Sequence, residues 1–101
     1  MVQTSPGTFG LEMVVRVAHA NRRELFQTLE GLRETVTAQE RAASCELLED
    51  CLVPNRVYWV ERWATLQEID EACRSDRFAM LRAAVELLGN IETVRKTEEL
   101  S

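Results

Sequence analysis

The chain has one histidine, two prolines and four glycines among its 101 residues. Its three cysteines, Cys45, Cys51 and Cys73, are odd in number and have no CxxC spacing. That pattern excludes a disulfide framework and a cysteine zinc site, so they read as small thiols packed as hydrophobes in a reducing compartment. No metal site is expected, and no nucleophile elbow, phosphate loop or paired-carboxylate site is present. Basic charge is scarce: 12 Lys and Arg against 17 Asp and Glu give a net charge of -5. Without a dense cationic cluster to neutralise phosphates, nucleic acid and anionic membrane are excluded as partners. No apolar run approaches the roughly 18 residues of a spanning helix, and the opening MVQTSPGTFG lacks the basic and apolar regions of a signal peptide. The expectation is a cytoplasmic protein. Repeats, low-complexity segments and linkers are also missing, which leaves one domain over 10–101 behind a flexible segment, 1–9, that carries Pro6 and Gly7.

What is present concentrates between Arg56 and Leu88, which holds both tryptophans and the only tyrosine. A period of two puts Val57, Trp59, Glu61 and Trp63 on one face of a strand and Tyr58, Val60 and Arg62 on the other. Large side chains on both sides imply a sheet covered on both faces, one by the chain's own helices and the other by a second copy. A homodimer with a large, largely apolar interface is therefore expected.

Ahead of that stretch, Leu11, Met13, Val15, Val17 and His19 alternate with Glu12, Val14, Arg16 and Ala18, the signature of a first strand. Asn21 with Glu24 has capping-box spacing, and Leu25, Leu29, Leu32 and Val36 make the apolar stripe of a helix. A second strand runs through Cys45 to Cys51, and Pro54 and Asn55 turn it into the third, Arg56 to Ala64. Thr65 and Glu68 cap a short helix, and Ser75 and Asp76 restart a widely apolar one to Leu88. Gly89 and Asn90 fit a left-handed cap, and Ile91 to Glu98 a last strand. The order β-α-β-β-α-α-β, with right-handed crossovers, describes an α+β, ferredoxin-like four-stranded antiparallel sheet with helices on one face.

From Met13 to Glu98, and above all at PNRVYWVERW, the helix TLQEIDEACRSDRF and the apolar helix after it, the chain resembles the antibiotic biosynthesis monooxygenase family of dimeric α+β barrels. Glu61-Arg62-Trp63 at the end of the third strand and the Ser75/Phe78 pair opening the next helix carry the likeness. The resemblance implies a homodimer with a mostly apolar pocket between each sheet and its own helices. It also implies oxygenation of aromatic polyketides or quinols with no cofactor. A branch of the family degrades haem, but Ala72 and Arg82 stand where that branch has a tryptophan and a ligand histidine. ERAASCELLED also lacks the family's glycine before the second strand.

Several residues are candidates for the site. His19, the only histidine, ends the apolar face of the first strand and could act as a general base, or be a boundary residue. Asn21 could present its amide to a substrate, or cap the helix. Trp59, Trp63 and Phe78 could wall a planar ligand, with Glu61 accepting a hydroxyl proton, or the tryptophans could fill the core or the dimer interface. Arg82 could hold an anionic group, or pair with Glu86 on a solvated face. Two functions follow: a cofactor-independent monooxygenase of a small electron-rich aromatic, quinol or anthrone, or a non-catalytic ligand-binding or dimerisation module on the same scaffold.

Overall fold

A computed structural model describes residues 8–100. The strands are β1 (Phe9–Val17), β2 (Ser44–Glu49), β3 (Arg56–Trp63) and β4 (Gly89–Glu98); the helices are α1 (Arg22–Ala38), α2 (Leu66–Cys73) and α3 (Asp76–Leu88). All strand pairs are antiparallel in the order β2-β3-β1-β4, the ferredoxin-like arrangement expected from the element order. Residues 1–7 of the expected flexible segment lie outside the described residues. Phe9 already pairs with Trp63 and Glu98.

The period-two assignment sorts the sheet correctly. Leu11, Met13, Val15 and Val17 of β1 share a buried face with Val57, Trp59, Glu61 and Trp63 of β3, because the register aligns Leu11 with Glu61 and Met13 with Trp59. Leu25, Leu29 and Val36 from α1, Ile69 and Ala72 from α2, and Phe78, Leu81 and Val85 from α3 close over that face in one core. Thr65 Oγ1 accepts from the Glu68 amide and Ser75 Oγ from the Phe78 amide, both at 3.1 Å, so α2 and α3 begin where their capping residues dictate. No helix among the described residues is long and apolar enough to cross a membrane.

The other face of the sheet carries Val14, Leu48, Tyr58 and Val60 among Glu12, Arg16, Glu46, Arg62 and Arg95. This surface mixes apolar and charged side chains. Glu12, Arg16 and Arg62 fall on this face by the alternation itself, and Glu46 and Arg95 join them through the pairing of β2 with β3 and of β4 with β1.

Two local expectations need correction. Asn21 precedes α1 but makes no side-chain cap; its Nδ2 instead donates to the Leu88 carbonyl at 3.1 Å, tying the start of α1 to the end of α3. Gly89 is not a left-handed cap. Its φ of -164° is extended and β4 begins there directly. The need for glycine is close approach, since a Cβ would sit 2.4 Å from the Arg16 carbonyl oxygen. Gly89→Ala should therefore lower stability by about 1–3 kcal/mol, the usual cost of overpacking, read as a fall in the urea midpoint at constant slope.

The β2–β3 turn is fastened by Asp50. Its Oδ1 accepts from the Leu52 and Val53 amides at 2.8 Å, and its Oδ2 accepts from the Tyr58 hydroxyl. Asn55, at φ 63°, takes the left-handed position that asparagine tolerates. The Tyr58 hydroxyl first, then the two amides, hold the Asp50 carboxyl down to about 2. A depressed acid stabilises the fold above its unfolded value of about 3.9 and loses that stabilisation as pH falls through the folded value. The difference in melting temperature between the native chain and Asp50→Asn should thus be full at pH 5 and vanish near pH 2. A difference independent of pH would show that the carboxylate's charge contributes nothing.

Candidate functional site

The candidates on β3 converge, but on a closed cluster rather than on an empty pocket. Trp59 is 0% exposed, Glu61 0% and Trp63 4%. Glu61 Oε2 accepts from Trp59 Nε1 at 2.7 Å and from Arg77 Nη1 at 2.6 Å; Oε1 accepts from Trp63 Nε1 at 3.1 Å and from Arg77 Nη2 at 3.0 Å. A carboxylate offers about four lone-pair positions, and all are taken. Glu61 is therefore not free to accept a hydroxyl proton from a ligand; it orients the two indoles and neutralises a buried arginine. This corrects its reading as a pocket acceptor.

Arg77 comes from the first turn of α3, where the Ser75 cap aims it inward. Beyond Glu61 it donates Nε and Nη2 to the two oxygens of Glu40, both at 2.9 Å. Glu40 follows α1 in the turn where Arg41 takes φ 63°, and its side chain keeps 25% exposure. Two carboxylates thus hold one guanidinium in a Glu-Arg-Glu chain running from the core to the surface. Burial alone would lower the pKa of Arg77, but the hydrogen bonds it donates to Glu40 and Glu61 raise it overall, so it stays charged. Burial likewise pushes the neighbouring Cys45 thiol up to about 12 and leaves it inert.

Phe78 is 3% exposed and packs in the core, with the Arg77 guanidinium 5.9 Å from its ring centroid. His19 and Arg82 are elsewhere. β1 ends at Val17, and His19 opens an exposed 3-10 turn. Glu61 lies opposite Leu11, and the six residue steps from Leu11 to Val17 span roughly 20 Å, so His19 cannot serve this cluster as a base within one protomer. Arg82 lies five residues past Arg77, about 140° round the helix. Its side chain is 51% exposed and 3.9 Å from Glu86.

Where the cluster reaches the surface there is an open pocket of about 350 Å³ lined by Glu40, Trp63, Glu68, Glu71, Ala72 and Ser75. The lining combines one aromatic ring, Trp63, the small side chains of Ala72 and Ser75, and three carboxylates. Glu40 and Arg77 were missed from sequence. The available signal was opposite charges at positions that periodicity buries: Glu61 among apolar residues of β3, and Arg77 beside Phe78 on the inner side of α3.

Solved structures share this architecture. One is named an antibiotic biosynthesis monooxygenase, with 17% identity over 92% of this chain and 99% of that one and a TM-score of 0.75. A proposed antibiotic biosynthesis monooxygenase from Caulobacter crescentus gives 16% identity, 95% and 92% coverage and a TM-score of 0.81. This chain has the antibiotic biosynthesis monooxygenase fold. A protein from Mycobacterium tuberculosis matches at 20% identity over 96% of this chain and 97% of that one, with a TM-score of 0.78. No protein-family model and no curated protein matches the chain. At such identities the monooxygenase fold is shared, while residue roles rest on the geometry of this chain alone.

Proposed function

We propose that this protein is a homodimeric, cofactor-independent monooxygenase of a small electron-rich aromatic, a quinol or anthrone, in a reducing cytoplasm. The observation that carries the reading is the open pocket at Trp63, Ala72 and Ser75 on a monooxygenase scaffold. Its size is at the lower end for a ligand site, and Ala72 leaves open a space that a larger side chain would fill. Glu40 takes the role expected of His19: it is a carboxylate at the pocket rim with one side toward solvent, held in place by Arg77. An anthrone deprotonated there is itself the reductant. Its methylene becomes a carbonyl, one oxygen atom is retained and the other leaves as water, with all four electrons coming from substrate. The protein supplies orientation and a proton acceptor. In the dimer a second copy covers the sheet face that carries Val14, Tyr58 and Val60.

A second reading, a non-catalytic ligand-binding or dimerisation module, is favoured by Trp59 and Glu61, which occupy the interior between sheet and helices. Oxygen uptake decides between the two. With a menadiol-like quinol or an anthrone and no added metal, the rate should exceed the spontaneous one. It should fall about 10²-fold or more in Glu40→Gln and stay unchanged in His19→Ala. Uptake at the protein-free rate across several such substrates would leave the module reading.

A further inference from the structure

We propose that the outward side of α3 is a contact surface for a second copy of this chain, the two helices pairing antiparallel about a two-fold axis beside Ala83 and Ala84. α3 is apolar on two sides. Phe78, Leu81 and Val85 point into the core. On the opposite side Met80, Ala83 and Leu87 recur at i, i+3 and i+7, the spacing of a helix–helix seam. Met80 is 63% exposed and Leu87 80%, and none of the three belongs to the core cluster. Ala79 and Ala84 flank the seam, so small side chains at the crossing let two backbones approach closely.

Charge identifies the occupant. Arg82 and Glu86 lie along one edge of the seam. A two-fold rotation lays that edge against itself with its order reversed, so Arg82 of each copy falls beside Glu86 of the other. A parallel pair has no such match. Within one chain the two side chains are loosely engaged, at 3.9 Å with 51% and 61% exposure, and can re-pair across the axis. A 13-residue helix is about 20 Å long, and a seam of one methionine, one leucine and alanines is smaller than the ~800 Å² per partner of a standard interface. The association is therefore weak and concentration-dependent. It adds a doubling to whatever species the sheet face forms.

Sedimentation of the full chain from about 10 µM to about 1 mM, the span of weak affinities, tests this. The mass at the low end reports the sheet-face dimer; a doubling above it reports the helix pair, so the two fail separately. Met80→Asp/Leu87→Asp should abolish the doubling with circular dichroism and melting temperature unchanged. Arg82→Glu should weaken it about tenfold by placing like charges together, and Arg82→Glu/Glu86→Arg should restore it. No doubling, a doubling that survives Met80→Asp/Leu87→Asp, or a charge swap that does not restore it overturns the proposal.

Discussion

Arg77→Met is expected to lower the unfolding free energy by about 3–5 kcal/mol at pH 7, the range for removing one partner of a buried ion pair. Methionine fills much of the arginine's volume, so the loss comes from charge. Glu61, fully buried, is left with two indole donors and no cation, whereas Glu40 can turn to water. An unpaired buried carboxylate has a raised pKa. The folded variant then binds a proton that the unfolded chain at neutral pH does not, and its stability should rise as pH falls from 7 toward 5. Arg77→Met/Glu61→Gln removes both charges and keeps an acceptor for an indole, so it should recover much of the loss. Denaturant unfolding followed by tryptophan fluorescence measures all three chains. A loss below about 1 kcal/mol, typical of an exposed pair, would falsify the buried triad.

Trp59→Ala should be comparably severe, about 3–5 kcal/mol, the range for large aromatic-to-alanine changes in cores. For a domain of this size that is a fall in melting temperature on the order of 12 °C or more. The ring is fully buried, lies opposite Met13 and Leu47 on the neighbouring strands, and donates to Glu61 at 2.7 Å. Trp59→Phe keeps most of the bulk and loses the donor, so it should cost less, about 1.5–3 kcal/mol, the worth of a hydrogen bond to a charged group. If alanine cost no more than phenylalanine, the ring would not be filling the core, and the interior between sheet and helices would be open to a ligand after all.

The fold was legible in the sequence because it rests on local signals. The alternation in 11–17 and 57–63, the caps at Thr65 and Ser75, and the Pro54-Asn55 turn each act within a few residues, and together they determine the element order. The site was legible only in part. Periodicity placed Trp59, Glu61 and Trp63 on one face, which is correct, but whether a face is a pocket or a filled core depends on what arrives from elsewhere. Arg77 arrives 16 residues later on a helix and Glu40 from a turn 21 residues earlier. Neither distance leaves a pattern along the chain. His19 was misplaced for a related reason: extending the alternation two residues past Val17 put it on the core face, but the backbone leaves the sheet there into the 3-10 turn.

The shared carboxylate of Glu61 has a consequence for how this protein can change over generations. Four positions, 59, 61, 63 and 77, share that carboxylate: Arg77 lost without Glu61 strands a buried negative charge, and Glu61 lost without Arg77 strands two indole donors and half of the guanidinium's partners. Single steps through this cluster cross a stability valley, so the four should be inherited or replaced together. In the neighbouring pocket Ser75 is held by its cap on α3 and Ala72 by the core, so the exposed lining residue Glu71 is the freer to drift. New ligand preferences on this scaffold are therefore expected to arise at that outer edge while the tryptophan cluster beside it stays fixed.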